Sequence, residues 1–338
     1  MSDNNPAGRL WDRIREQFAK EADHLVRVFL PEAGAQPLVP NDSYLRVSLS
    51  ELFLANERAW GGDRIPAVQA SVKLLFGGPR PQTFATLAQP PATTGHGSFE
   101  DYLLTEWLPY RGQPVELEAA LYEILGKNNL LTAISIVADF ASLATPPVSA
   151  ALAVIDKVAA GIEKVIDANA KDPTLVLHGT LTGANLRPGW LAVVRATERE
   201  LPPDSLALSA DGRLSRGGAR LTGHDYVVLR VEGTAARQDW RTPDLDEAIS
   251  AALYAQSIGR HEEYQQRRAE ALGKVWLSPD FTPPQRRQLS QAIKDELDQA
   301  VPGAAAEGGM TVAEIVARRG LPTRAQVQHL TLEQLLAS

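Results

Sequence analysis

The hydrophobic period of this chain runs as strand, then helix, then strand again, and that reversal limits its possible folds more than any other feature. Apolar residues alternate with polar ones at Leu45, Val47 and Leu49, at Val68, Ala70, Val72 and Leu74, and at Val115, Leu117, Ala119 and Leu121. Such alternation marks strands with one buried face. Gly77-Gly78-Pro79 turns the chain into a further strand over 82–88. At Gly126-Lys127-Asn128 the alternation stops, and Asn128 or Asn129 offers an N-cap. Helical spacing follows over 130–143 and 148–169, parted by Thr145-Pro146-Pro147. In the second segment Val148, Leu152, Ile155, Val158, Ile162 and Ile166 make one stripe. Strand signals resume at 174–181, 190–197, 205–208, 214–221 and 225–231, with Asp211-Gly212 as a hairpin turn. The expectation is an α+β fold. A mainly antiparallel body of about nine strands, sandwich-like or a curled sheet, spans 40–233 and is interrupted by an apolar helical hairpin over 128–169.

Helices flank this body. Trp11, Ile14, Phe18, Ala22, Leu25 and Phe29 recur at helical spacing, so residues 8–30 read as an amphipathic helix stopped by Pro31, and 1–32 as an N-terminal helical unit. From Thr242-Pro243 onward the pattern is helical again, with Leu245, Ile249, Leu253 and Ile258 in sequence, giving a C-terminal helical region over 242–300. Thr282–Gln285, Thr311–Glu314, Thr323–Gln326 and Thr331–Gln334 each have the spacing of a capping box. The Gly- and Ala-rich run 301–309 reads as a joint, which leaves 301–338 as a short helical tail able to dock in cis or on another protein.

Composition narrows the chemistry. The chain has 338 residues, no cysteine and a formal charge of −7. Without cysteine there are no disulfides, thiolate metal sites or thiol nucleophiles. The N-terminal residues show neither a basic region nor an apolar stretch, so no secretory signal is expected and the location is read as cytoplasmic. The Ala- and Arg-rich, Lys-poor usage fits a bacterial source. A net negative chain with no basic stripe is not expected to bind nucleic acid. Arg260, Arg267 and Arg268 share a helix with Glu262, Glu263 and Glu270 and read as a solvated, salt-bridged face.

The titratable residues yield no catalytic, cofactor-binding or metal assignment. His261-Glu262-Glu263-Tyr264-Gln265 lacks the second histidine that a zinc helix requires. His178 falls on the strand face opposite Leu175 and Leu177. His224-Asp225 precedes a strand, and no G-x-S-x-G turn accompanies it. His24, His96 and His329 stand apart. Glu116 and Glu118 share one strand face, read as a wet one. Asp244, Asp246 and Glu247 lie in a helix's first turn, where acidic residues suit the helix dipole. Arg216-Gly217-Gly218-Ala219-Arg220 reads as a solvated hairpin turn, and no phosphate-cradling loop is present.

The apolar hairpin is the one segment with a reason to move. Leu130 to Ile155 carries a single charge, Asp139, yet Pro146-Pro147 breaks the run short of the ~20 apolar residues of a spanning helix. The expected function is a non-enzymatic interaction protein of the bacterial cytosol, an adaptor, regulator or complex subunit. It would dock another protein through its terminal helices, with Trp11, Phe18, Leu332 and Leu335 as contact residues. The alternative is a latent membrane-active effector that releases 128–169 on a trigger such as proteolysis, marked by Leu130, Ile134, Asp139, Pro146, Pro147 and Leu152. Membrane contact is expected only in that case. A third reading is an enzyme with an unfamiliar site around His178, His224 and Asp225.

Overall fold

The computed structural model describes residues 6–53, 55, 64–88, 102–125, 155–169, 173, 175–209, 212–299 and 310–337. Thirteen strands and eight α-helices lie among them, with every strand pairing antiparallel. The fold is α+β with a mainly antiparallel body. Strands β1 (Leu25–Pro31), β9 (Gly189–Arg195), β13 (Tyr226–Thr234), β2 (Tyr44–Phe53) and β5 (Tyr102–Leu103) form sheet A in that order, and β6 (Leu108–Pro109) also pairs with β2. Sheet B runs β4 (Pro81–Ala88), β3 (Arg64–Leu75), β7 (Val115–Leu125), β8 (Leu175–Leu181). Sheet C is the small ribbon β10 (Leu206–Leu208), β11 (Leu214–Arg216), β12 (Ala219–Arg220). Gly217 and Gly218, both at positive φ (59° and 82°), close the β11–β12 turn.

The inner faces of sheets A and B share one apolar core. Leu45, Val47, Leu49, Leu191, Val193 and Leu229 from sheet A join Val68, Ala70, Val72, Leu117, Ala119, Leu175 and Leu177 from sheet B. These are the alternating positions of the sequence, and their aliphatic side chains leave nothing polar to satisfy. The outer face of sheet A is covered by sheet C, around Val26, Phe53, Ala192, Val194, Leu206, Leu214, Tyr226 and Val228. A register shift at Val228/Leu229 leaves Ser50 unpaired and turns Glu51 toward this outer face.

The N-terminal segment differs from its expected form. The helix predicted over 8–30 ends early: α1 spans Pro6–Glu21, a 3-10 turn covers Ala22–His24, and Leu25–Pro31 is strand β1. Leu25, Val26, Val28, Phe29 and Leu30 fit either period. Seven residues of antiparallel pairing with β9, from Leu25↔Arg195 to Pro31↔Gly189, decide for the strand. Pro31 at its end, on the edge of sheet A, costs no ladder hydrogen bond within the sheet. Of the predicted hairpin, only α2 (Ile155–Asn169) is described; residues 128–154 lie outside the described residues, as does the joint 301–309. Among the described residues no helix is long and apolar enough to cross a membrane.

The C-terminal helices α3 (Pro243–Ser257), α4 (His261–Leu277) and α5 (Pro283–Asp298) build a second core of Leu245, Ile249, Leu272, Val275, Leu289, Ile293 and Leu297. The tail docks on it in cis. Helix α6 (Val312–Arg319) inserts Val312 and Ile315, and both Arg318 and Arg319 pair with the nearly buried Glu296. Short helices α7 (Arg324–Val327) and α8 (Leu332–Leu336) complete it, with Leu335 fully buried. Three capping boxes form at Thr311, Thr323 and Thr331. The one expected at Thr282 does not: Gln285 instead bonds both main-chain groups of Arg237, and the Thr282 N–H donates to the Tyr44 hydroxyl at 2.8 Å. These bonds join α5 to β2 of sheet A and to the segment that follows β13, so tertiary contact has displaced the local cap. Arg268 is also not solvated. It is 2% exposed and pairs with Asp298 at 2.7 Å.

Candidate functional site beneath the N-terminal helix

The outer face of sheet B carries the least expected chemistry. Strand alternation places Gln69, Ser71 and Lys73 of β3, Glu116, Glu118, Ala120 and Tyr122 of β7, and Val176, His178 and Thr180 of β8 on this side. In register they form rungs: Ala85, Ser71, Glu118 and His178 lie side by side across four strands. Above them run Thr83, Lys73, Glu116 and Thr180, and below them Leu87, Gln69, Ala120 and Val176. Helices α1 and α2 lie over this face. Ile14 of α1 and Ile162 and Ile166 of α2 are fully or almost fully buried, and Phe18 packs beside them.

A face expected to be wet is therefore covered. Glu118 has no exposed surface, and neither of its carboxyl oxygens has a hydrogen-bond partner among the described residues. Its nearest titratable neighbour is His178, with Nδ1 3.4 Å from Oε1. The His178 ring meets Phe18 edge to face at 6.1 Å, so α1 holds the imidazole against the sheet. Burial pushes the Glu118 carboxyl well above the usual carboxylate range, with Arg15 and Lys73 opposing the rise and Glu116 and Asp12 adding to it. Burial also lowers the imidazole of His178. The nearby cations each have another partner: Arg15 bonds Asp12 at 2.7 Å, Lys73 pairs with Glu116 at 3.6 Å, and Arg27 donates to the His178 carbonyl at 3.2 Å. Next to the rung, Gln69 donates to Ser71 at 3.2 Å and accepts from the Tyr122 hydroxyl at 3.5 Å.

The two covering helices are clamped to each other at their rim. Arg9 pairs with Glu163 at 2.6 Å and Arg13 pairs with Asp167. Sequence periodicity identifies these helices as amphipathic. It carries no signal that their apolar stripes would land on the charged face of β7 rather than the aliphatic one. Only the choice of partner, which is tertiary, buries Glu118.

The other sequence candidates disperse. Trp11 lies on α1, Phe18 faces the site, Leu332 is half-buried on α8 and Leu335 is spent in cis packing. Leu130, Ile134, Asp139, Pro146, Pro147 and Leu152 lie outside the described residues. His178 and the His224-Asp225 pair do not share an element: His178 is on sheet B, while His224 bonds the Arg195 carbonyl at 3.3 Å and Asp225 accepts from the Ala55 N–H at 2.8 Å. Asp246 accepts from the Val312 N–H at 2.7 Å, tying the tail to α3. Arg220 pairs with Glu51 at 3.0 Å while Arg216 stays exposed. Among the described residues no group of three or more metal-ligating side chains converges. Comparison with known families, with curated proteins and with solved structures finds no match for the chain.

Proposed function

We propose that this protein is a non-enzymatic interaction protein of the bacterial cytosol, and that the α1–α2 layer is the part it moves to engage another protein. One observation carries the reading: two amphipathic helices rest on a sheet face that sets Gln69, Ser71, Glu118 and His178 among its apolar residues Ala85, Leu87, Ala120 and Val176. Such a face loses less on exposure to water than a hydrocarbon core does, because its polar groups regain hydration. The apolar stripes of α1 and α2, with Phe18 among them, then become available for a partner.

The chain has no cysteine, so Arg9→Cys with Glu163→Cys supplies the only two thiols. A bismaleimide joining them locks α1 to α2. The test is capture of the proteins encoded beside this one, with locked and unlocked forms compared. Capture by the unlocked form alone supports the reading, and equal capture by both overturns it. A second reading, the latent membrane-active effector, draws on α2 being the trailing part of the apolar segment 128–169. Dye leakage from phosphatidylglycerol vesicles caused by the unlocked form alone would favour it over a protein partner.

A further inference from the structure

The Glu118–His178 rung sits where a mechanical release for the α1–α2 layer would have to act. It is at the centre of the covered face, under α1, and it joins β7 to β8. Among the described residues, each charged group that faces it has a partner. Asp12 and Arg15 come from α1 and pair with each other; Lys73 of β3 and Glu116 of β7 pair across the next rung; Arg27 of β1 is bound to a main-chain carbonyl. On α2, Glu163 and Asp167 are taken by Arg9 and Arg13. The rung therefore tolerates a neutral carboxyl beside a neutral imidazole. A carboxylate there would be a buried charge with no hydrogen bond to receive it among the described residues.

We propose that the proton on Glu118 is the latch of the α1–α2 layer: while the rung holds it the layer stays down, and its loss lifts the layer from the sheet. This rests on the reading of α1–α2 as a displaceable layer. The sign follows from both partners. Burial raises Glu118 from 4.5, so its contribution to docking is complete below that value and is lost as pH rises through the higher folded value. Burial lowers His178 from 6.5, so its contribution grows with pH up to 6.5 and then stops. The two slopes cancel where they overlap. Where the His178 contribution has stopped changing, the Glu118 contribution alone weakens docking as pH rises through its raised folded value.

Spin labels at Ala19→Cys on α1 and Ala207→Cys on β10 report the layer's position by pulsed electron–electron distance measurement on the full chain. A single distance is expected at mildly acid pH. A second, longer one should grow as pH rises toward the raised folded value of Glu118, by up to about tenfold per pH unit, and level off once Glu118 is ionised. In Glu118→Gln, which keeps the shape and cannot ionise, the growth disappears. In His178→Gln the offsetting slope is gone, and the longer distance appears at lower pH. Growth of the second distance in Glu118→Gln equal to that in the parent overturns the latch, as does a distance distribution in the parent that ignores pH. If the labels separate on adding a captured partner but not with pH, the displaceable layer stands and the latch falls. If they separate under neither condition, both fall.

Discussion

Glu51 and Glu118 are both glutamates sealed under a covering layer, and their surroundings are opposite. Glu51, on the outer face of sheet A, accepts from the Leu214 N–H at 2.9 Å, from Arg220 at 3.0 Å and from the Tyr226 hydroxyl at 2.9 Å. Two of these donors belong to sheet C, so the carboxylate stitches that ribbon onto sheet A. Burial and the Glu51 charge in turn raise the Tyr226 phenol. Glu118, on the outer face of sheet B, has no such donors among the described residues, and its cover is two helices held by Ile14, Phe18, Ile162, Ile166 and two rim ion pairs. A buried charge with a full set of donors fixes its cover in place. One without them makes its cover conditional on a proton.

That contrast can be broken by substitution. The largest effect is expected at Glu51. Glu51→Ala strands the Arg220 guanidinium and the Leu214 N–H, and should cost about 3 kcal/mol by denaturant unfolding, the low end for a broken buried pair because Arg220 reaches solvent. A loss below about 1 kcal/mol would remove its stitching role. Ile14→Ala empties a fully buried site on α1 and should cost about 2–3 kcal/mol. The loss should register as exposure of α1 to protease well before global unfolding. Simultaneous loss of α1 and the sheets would make the layer part of the core. Glu118→Leu should stabilise the protein by about 1–3 kcal/mol at neutral pH, since it replaces an unsatisfied carboxyl with hydrocarbon of similar volume. Destabilisation there would mean that the carboxyl is already well served. Arg13→Ala, at the half-exposed rim, should cost under about 1 kcal/mol and lose even that in high salt.

The same two regions show what the sequence could convey. Strand alternation located β2, β3, β7, β8 and β13, because their inner positions are uniformly aliphatic and period two is unambiguous there. It could not distinguish the outer faces, since Glu116 and Glu118 differ in burial while sharing a strand face and a residue type. Leu25–Pro31 was lost to the helix for a related reason: Leu25, Val26, Val28, Phe29 and Leu30 satisfy both periods, and only β9 chooses between them. The caps at Thr311, Thr323 and Thr331 were legible because both partners lie within four residues of each other. Thr282 has the same signature, but Gln285 is drawn away by Arg237, 48 positions distant. Local chemistry reads from sequence; the choice of what covers a face does not.

The most direct test is native-state hydrogen exchange, comparing the amides of α1 and α2 with those of β7 and β13. The α1 and α2 amides are predicted to exchange through an opening of lower free energy than the strands, with Glu118→Leu raising that opening energy selectively. If α1, α2, β7 and β13 all exchange in a single global isotherm, in the parent and in Glu118→Leu alike, the layer is not separable from the sheet it covers.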